Sequence, residues 1–215
     1  MRNHDLRKVG VGLALAGAGA AATYVWAIRP WHLRWGATDE EIEQPLPGDE
    51  LAPHPKLRAT HAITINAPAA DVWPWLVQMG QDRGGFYSYT WLENLVGCDM
   101  HNADEVVSEW QELKVGDNVW LHPKAPPTKV AAIEPGHAIV LKGWGAFVLK
   151  SIDEKTTRLI IRSQGDYEPD LKNPVLNFLL WRVVFEPAHF IMERKMLLGI
   201  KERAEKLTRQ QARST

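Results

Sequence analysis

The sequence predicts an α+β fold in which a curved antiparallel sheet grips a long C-terminal helix. Residues 59–66 alternate as a half-buried strand does, five more strand-like segments follow between residues 118 and 166, and residues 174–209 have helical periodicity. The strand-like segments are joined by short turns, which favour antiparallel hairpins over parallel crossovers. Elements in this order leave a cavity between the sheet and the helix.

The composition excludes several classes of protein. The chain has 215 residues, a net charge of −1 from 25 bases and 26 acids, 45% hydrophobic residues and one cysteine, Cys98. Near-neutral charge argues against nucleic acid as a partner, and a single cysteine excludes an internal disulfide and a multi-cysteine metal site. Ten tryptophans in so small a chain suggest a large apolar interior, a membrane interface, or both.

The N-terminus contains a candidate membrane anchor. Residues 9–28 carry no charge, and at about 1.5 Å per residue they would span a hydrocarbon core of roughly 30 Å. A cleaved signal peptide is the alternative, with Ala18-Gly19-Ala20 as its cleavage site and a secreted product.

The flanks of this segment predict its orientation. Arg2, Arg7 and Lys8 precede it, which places the N-terminus in the cytoplasm and the rest of the chain outside the plasma membrane. Three tryptophans cluster where it ends, and we expect them at the headgroup level: Trp26, Trp31 and Trp35.

Residues 36–58 are acidic and rich in proline. Six acids lie between Asp39 and Glu50 without a base, and four prolines with Gly48 exclude a long helix or a central strand. A solvated linker is the favoured interpretation, and an ordered strap laid against the domain is the alternative.

The folded domain is predicted to begin with the strand at residues 59–66, followed by two short helices. Asp71 is the predicted N-cap of the first, which ends at Gly80, and the second covers Ser88 to Val96. The later strands are predicted at residues 118–122, 128–133, 138–143, 146–153 and 157–166. The C-terminal helix starts at Pro174, and Pro187 should kink or divide it.

Three stretches of this domain carry a resemblance: VWPWLVQMG, RGGFYSYTWLENLVG and EPAHFIMERKMLLGIKERAE. From about Trp35 to Glu205 the chain resembles the START-like (SRPBCC) superfamily, in the bacterial branch described as polyketide cyclase/dehydrase-like. The resemblance implies a helix-grip fold with a deep hydrophobic cavity. Its members mostly bind lipids, sterols, polyketides or other apolar molecules, and some are catalysts, so function must be argued from the residues.

Residues around the turn at Arg83 to Asn94 are the main candidates for ligand binding, because an apolar pocket needs a few polar groups to orient its ligand. Arg83 would suit a carboxylate or phosphate head, and Trp75 and Trp91 an apolar tail. The alternative is structural, with Arg83 paired to Glu93 or Asp82 and the aromatic rings in the core. The candidate ligand-binding residues are Trp75, Arg83, Tyr87, Tyr89, Trp91, Glu93 and His101.

A metal site at Cys98, Asp99, His101 and Asp104 is disfavoured, because the chain has neither a second cysteine nor an HxxxH motif. We expect no metal and no other cofactor. Acid–base chemistry by a histidine near a tyrosine and an aspartate remains open but is not required by the spacing.

Residues 174–186 have more apolar side chains than one packed face needs. They either fill the core or form a membrane-contacting lid over the cavity, with Phe178 and Trp181 in the interface.

We therefore predict a cytoplasmic tail and anchor at residues 1–28, a linker at 29–58, a helix-grip domain at 59–209 and a tail at 210–215. The predicted function is membrane-anchored binding of a hydrophobic small molecule or lipid, with no nucleic acid. The alternatives are a cyclase- or dehydratase-type enzyme and an interaction protein of a membrane complex with a collapsed cavity.

Overall fold

The computed structural model describes residues 19–165 and 172–214, together with Gly12 and Gly17. In these ranges six strands form one antiparallel sheet of order β1-β6-β5-β4-β3-β2. The α+β class and every predicted strand are thereby confirmed, with ends shifted by a few residues. The strands are β1 Leu57–Ile65, β2 Asn118–Val119, β3 Thr128–Glu134, β4 Ala138–Leu141, β5 Gly145–Asp153 and β6 Thr156–Gly165.

The helices fall into three groups: two beside the N-terminal segment, two between β1 and β2, and a continuous C-terminal run. The α-helices are α1 Arg29–Leu33, α2 Asp39–Glu43, α3 Ala69–Val77, α4 Thr90–Leu95, α5 Pro174–Phe178 and α6 Glu186–Ser214. Tyr24–Ile28 and Leu179–Phe185 are π-helical, and Asp49–Leu51 and Ser108–Trp110 are short 3-10 turns.

The prediction that Asp71 caps α3 is wrong. The helix begins at Ala69, with Pro68 at the N-cap. Asp71 lies in the first turn, and its carboxylate accepts a hydrogen bond of 2.6 Å from Thr208 of α6. An acidic residue is favourable in the first turn of a helix as well as at the N-cap. The presence of Asp71 therefore did not decide at which residue the helix begins.

The core lies between the concave face of the sheet and α6. Met196, Leu197, Ile200 and Ala204 form one buried face of α6. They share a single cluster with residues of α3 and of all six strands, including Ile65, Phe147 and Ile161. The sheet therefore grips the terminal helix as predicted.

The opposite face of the sheet is covered by residues 36–51, which we call the strap. Leu46 is buried among Ala62, Val140, Val148 and Ile160 of the sheet. Residues 36–51 therefore form the ordered strap that was the alternative interpretation, and the favoured interpretation, a solvated linker, is wrong for them. The predicted boundary at residue 58 stays a prediction, although the strap packs on strands that follow it.

The buried Arg162 of β6 fastens the strap to the sheet. Its guanidinium donates to the backbone carbonyls of Glu41, Ile42 and Gln44, and Nη1 lies 2.7 Å from Asp49 Oδ2. Linker acids thus have arginine partners on the sheet, which the acidic composition alone did not indicate.

The C-terminal run changes from π- to α-helix at Glu186, one residue before Pro187. Proline lacks the N–H for a helical hydrogen bond, and π-bulges are one way in which helices absorb such a defect. The helix was predicted to kink or divide at Pro187; in the structure it continues through this residue and only its hydrogen-bonding pattern changes, and α6 runs beyond the predicted end at Arg209 to Ser214.

Within the described ranges, one helix, Val175–Arg213, meets the length and hydropathy expected of a membrane span, and 11% of its most apolar stretch is buried. A core helix also meets that criterion, and one face of the second half of this helix is buried in the domain. Of the anchor predicted at residues 9–28, eight residues lie outside the described ones, and Gly12, Gly17 and residues 19–28 lie within them. Its described end, from Gly19, is helical.

Candidate ligand-binding cavity

A cavity of about 370 Å³ lies between α6, the sheet end at β1 and β6, and the segment that contains α4. The π-helical segment Leu179–Phe185 contributes Trp181 to its wall. The full lining is Leu57, Phe86, Ser88, Glu93, Cys98, Met100, Leu121, Gly143, Trp144, Ser163, Gln164, Gly165, Trp181, His189, Met192, Glu193 and Met196.

Most of this wall is apolar. Trp144, in the turn between β4 and β5, stacks edge-on against Phe86 at 5.3 Å and Phe147 at 5.4 Å between ring centroids. Met192 and Met196 come from one face of α6. Methionine adapts its shape to irregular neighbours, so this side of the cavity suits ligands of differing outline.

One polar cluster lies at the junction of α6 with β1 and β6. Glu193 of α6 places Oε1 2.7 Å from His61 Nδ1, and Oε2 accepts a hydrogen bond from Ser163. His189, one turn earlier, has Nε2 3.3 Å from the same Oε2. His61 and Glu193 are almost completely buried, whereas His189 is partly exposed.

The charge state of this cluster follows from its hydrogen bonds. His61 Nε2 lies 2.7 Å from the carbonyl oxygen of His32 and must donate to it, since a carbonyl only accepts. Burial alone would raise the pKa of Glu193, but the charges of His189 and His61 and its hydrogen bonds outweigh burial and lower that pKa to about 2. Burial opposes a charged His61, yet Glu193 raises the pKa of His61 above 6.5. The pair is a buried imidazolium–carboxylate ion pair.

Glu93 of α4 is a second carboxyl group of the cavity wall, and its surroundings differ. Its Oε2 is buried and has no hydrogen-bond partner among the described residues. Burial raises the pKa of Glu93 to about 6. An acid with this pKa exchanges its proton near neutral pH and has one oxygen free to accept a hydrogen bond.

The indole Nε1 of Trp144, another residue of the cavity wall, is a hydrogen-bond donor. It is buried and has no hydrogen-bond partner in the described part of the chain. Gln164 also has a buried oxygen without a partner, but its amide nitrogen donates to Gly48 of the strap. Because Gln164 alternates with Ser163 along β6, its side chain belongs to the strap face of the sheet.

Of the predicted ligand-binding residues, Glu93 lines the cavity, and three others lie in or near the core. Trp75 is buried and accepts a hydrogen bond of 3.1 Å at its carbonyl from Tyr87 Oη. Arg83 donates to the carbonyl of Trp110, and in the described structure it pairs with neither Asp82 nor Glu93. The observed contact of Arg83 is therefore neither of the two that the sequence suggested, which were the polar head of a ligand and an acidic side chain.

The remaining predicted residues lie outside the lining. Tyr89 is half-buried with Lys195 Nζ 5.9 Å above its ring, and Trp91 is exposed. His101 is exposed, 3.3 Å from Asp99. Cys98 is buried in the cavity wall, and the described residues contain no group of three potential metal ligands at that loop or elsewhere.

The predicted membrane-contact residues divide in two. Trp26, Trp31 and Phe178 are exposed, and Trp31 also stacks on Phe190 of α6 at 5.4 Å. Trp35 and Trp181 are partly buried: Trp35 lies under the guanidinium of Arg194 at 4.9 Å, and Trp181 lines the cavity.

Sequence reasoning missed the polar cluster and Trp144. A signal for Glu193 was present in the sequence, because Glu193 falls four residues after His189 and three before Met196 and so shares a helix face with them. A carboxylate that is buried on such a face is stable only with a hydrogen-bond or ion-pair partner. Trp144 gave no such signal, since a tryptophan between two glycines is equally typical of an exposed turn.

No family model matches the chain, and neither does any curated protein. The solved structures that are similar to it include the following two. A Polyketide_cyc-like protein from Corynebacterium glutamicum is 17% identical over 71% of this chain and 89% of its own, with a TM-score of 0.32. A conserved protein of unknown function from Enterococcus faecalis is 12% identical over 75% and 94%, with a TM-score of 0.30. The description of the fold therefore rests on the chain's own geometry.

Proposed function

We propose that the protein binds a hydrophobic small molecule or a lipid in this cavity while it is anchored to a membrane. The cavity carries the proposal: its volume of about 370 Å³ lies in the range of small-molecule sites, about 300–1,000 Å³. Removing apolar ligand surface from water contributes about 25 cal/mol per Å². An interaction protein with a collapsed cavity is disfavoured by the same open volume.

The surface around the cavity supports a membrane location. Beside Trp181, the π-helix and α5 expose a row of large apolar side chains that includes Val175, Phe178, Val183 and Phe185. Next to Glu93 on the other flank, α4 exposes Trp91 and Leu95. Apolar patches on this scale mark interaction surfaces, and a bilayer fits one whose members flank a cavity for an apolar ligand.

The end of the proposed anchor is fixed to the same region. Arg29 of α1 forms two hydrogen bonds, of 2.7 and 3.1 Å, with the buried carboxylate of Glu186, which Arg182 also contacts. Tyr24 Oη donates to the carbonyl of Arg182. An anchor so attached would hold the cavity at a constant angle to the bilayer, on the outer face of the plasma membrane by the predicted topology.

Ligand binding is tested by native mass spectrometry of the full chain, extracted from membranes of its own host in mild detergent. We expect a bound apolar compound in the wild type and its loss in Met192→Trp, which fills the cavity. Ile191→Trp, on the exposed side of the same helix turn, is the matched control. An empty wild-type protein with an open cavity would count decisively against the proposal.

The membrane location is tested by spin labels on the full chain in vesicles. Each label replaces one residue: Leu95 or Val183 beside the cavity, or Ile152 as the control. Ile152 is 58% exposed and lies on β5, at the end of the strand that is far from the cavity. Labels at Leu95 and Val183 should collide preferentially with oxygen, which concentrates in lipid, and the label at Ile152 with a water-soluble nickel chelate. Equal nickel access at all three positions would exclude membrane contact.

A cyclase- or dehydratase-type enzyme is the second candidate, favoured by the ionisable Glu93 and His189 in the cavity wall. Tyr87 is not available to such chemistry from this cavity, because its hydroxyl donates to Trp75. The compound recovered above would be returned to the wild type and to Glu93→Gln. Conversion that Glu93→Gln abolishes would support the enzyme, and binding without conversion the carrier.

A further inference from the structure

Both ring nitrogens of the buried His61 face hydrogen-bond acceptors. Nδ1 lies 2.7 Å from Oε1 of Glu193 in α6, and Nε2 lies 2.7 Å from the backbone carbonyl oxygen of His32 in α1. A neutral imidazole carries one N–H, whereas an imidazolium carries two. Only the protonated ring can therefore make both contacts at the same time.

Loss of one proton from His61 forces a choice between the two contacts. Glu193 is ionised, since its pKa is about 2, so its carboxylate cannot donate to an unprotonated Nδ1. A hydrogen bond to a carboxylate is about twice as strong as one between neutral groups. The remaining proton of a neutral His61 therefore stays on Nδ1, and the contact with His32 is lost.

The carbonyl of His32 depends on that contact. His32 lies in the last turn of α1, where backbone carbonyls have no partner within the helix. The residue is buried, with its ring 5.5 Å from that of Phe190 between centroids. A buried carbonyl without a donor is unfavourable, so the end of α1 must move toward water when His61 is neutral.

We propose that His61 is a pH-sensitive latch, which fastens the N-terminal helix α1 to the domain when its ring is protonated and releases α1 when the ring is neutral. Burial opposes the charged ring, but Glu193 and the carbonyl of His32 raise the pKa of His61 above 6.5. The latch is therefore closed below pH 6.5 and opens as the pH rises through the folded-state pKa. It acts independently of which ligand the cavity binds.

The elements packed against His61 and Glu193 contribute further polar groups. Ser163 of β6 donates to Glu193 Oε2, and His189 of α6 has Nε2 3.3 Å from the same oxygen. From α1 comes the ring of His32, whose pKa burial lowers. Among the described residues, no other charged side chain pairs with His61 or Glu193. Ser163 and His189 stabilise the carboxylate, and neither replaces the donor that the His32 carbonyl loses.

The state of the latch reaches the cavity through α1. Arg29 of α1 forms two hydrogen bonds with Glu186, and Tyr24 donates to the carbonyl of Arg182. The neighbouring residue Trp181 lines the cavity. Release of α1 therefore alters the support of the segment that forms one wall of the cavity.

The test measures hydrogen exchange of the full chain in lipid nanodiscs between about pH 6 and 9.5. Rates are expressed as protection factors, which remove the pH dependence of exchange in an unfolded chain. For residues 29–35 we expect protection to fall by about two- to tenfold across this range, the ratio for one lost hydrogen bond. Residues 39–43, in α2, contain no histidine and should keep their protection. Constant protection of residues 29–35, or an equal fall in both segments, would overturn the latch.

Three variants show which group carries the proton. Glu193→Gln supplies an amide that can donate to Nδ1 of a neutral His61, so Nε2 still donates to His32 and protection of residues 29–35 should no longer depend on pH. His61→Gln, which has no titrating ring, should also remove the pH dependence. His189→Gln is the matched control at the same carboxylate and should leave the fall in protection unchanged. A pH dependence that persists in Glu193→Gln, or disappears in His189→Gln, would overturn the proposal.

Discussion

Glu193 of α6 and His61 of β1 form a buried ion pair, with Oε1 of the carboxylate 2.7 Å from Nδ1 of the imidazole. The two residues are 132 positions apart in the chain. Through His61 Nε2 the pair also contacts the carbonyl of His32 in α1. One ion pair thus connects the gripped helix, the first strand and the helix that follows the proposed anchor.

Stability should depend on pH through this pair. The folded-state pKa of Glu193, about 2, lies below its ordinary value of 4.5, so its contribution is complete above pH 4.5 and is lost as the pH falls toward 2. The pKa of His61 is raised above 6.5, so its contribution is complete below pH 6.5 and is lost as the pH rises through the folded value. We expect the free energy of unfolding to be greatest between about pH 4.5 and 6.5.

The measurement is guanidinium unfolding at about pH 3, 5.5 and 8.5 for the wild type and Glu193→Gln. The variant should lose about 3–5 kcal/mol at the middle pH, where a buried charge loses its partner, and should show a flatter pH profile. His189 Nε2 faces the same carboxylate at 3.3 Å. His137→Gln, in an exposed pair with Glu134, is the control and should leave the profile unchanged. If the free energy of unfolding of Glu193→Gln depends on pH in the same way as that of the wild type, the prediction is wrong.

Replacing Arg162 by methionine should release the strap. The side chain has no exposed surface and donates to three strap carbonyls and to Asp49, so its loss leaves the buried carbonyls without their donor and removes one of two arginine partners from Asp49. We expect a loss of about 3–5 kcal/mol and faster hydrogen exchange across residues 37–49.

Arg58→Met gives the matched comparison. Arg58 contacts the same Asp49 carboxylate at 2.8 Å but is half exposed, so its removal should cost no more than about 1 kcal/mol. If both variants lose equal stability, the buried hydrogen bonds of Arg162 do not hold the strap.

The strands and the terminal helix were predictable because their signals are local. Alternation at residues 59–66 and the turns at Pro135-Gly136 and Asp153-Glu154 fix strand positions without knowledge of the partner. The strap was not decided by its sequence, since six acids are typical of a solvated segment. Arg162 pairs with Asp49 and Arg158 with Glu41, and these partners on β6 come near the acids only in the tertiary structure.

The candidate site was less predictable for the same reason. Glu93 was found because it lies in a short stretch rich in polar and aromatic residues. Ser163, Glu193 and His61 meet only when β6, α6 and β1 pack, and no spacing along the chain records that. Arg83 had the appropriate chemistry for a ligand head, but the fold directs it to a backbone carbonyl.

Removing Arg29 should loosen α1 from the domain. Glu186 keeps Arg182 as a partner but loses two hydrogen bonds, one of them at 2.7 Å, while its carboxylate stays buried. In vesicles, Arg29→Met should raise the hydrogen exchange rates of residues 29–35 by about tenfold, the ratio for a local loss of about 1.4 kcal/mol. Arg34→Met, whose partner Asp39 is exposed, should leave these rates unchanged. Exchange rates that are the same in the two variants would show that the Arg29–Glu186 contact does not hold α1.

Gly199→Ala should destabilise the protein although alanine is the better helix former. Gly199 lies inside α6, where alanine would ordinarily gain about 1 kcal/mol. A Cβ at this position would lie 2.3 Å from the carbonyl oxygen of Tyr87 and 2.8 Å from its Cβ, and Tyr87 already has a positive φ of 56°. Overpacking of this kind costs about 1–3 kcal/mol, so we expect a lower unfolding midpoint in guanidinium. At Gly165 the nearest atom to an added Cβ is 3.5 Å away, and Gly165→Ala should change stability little. An increase in stability for Gly199→Ala would show that α6 and the Tyr87 turn are not in the close contact on which one wall of the grip depends.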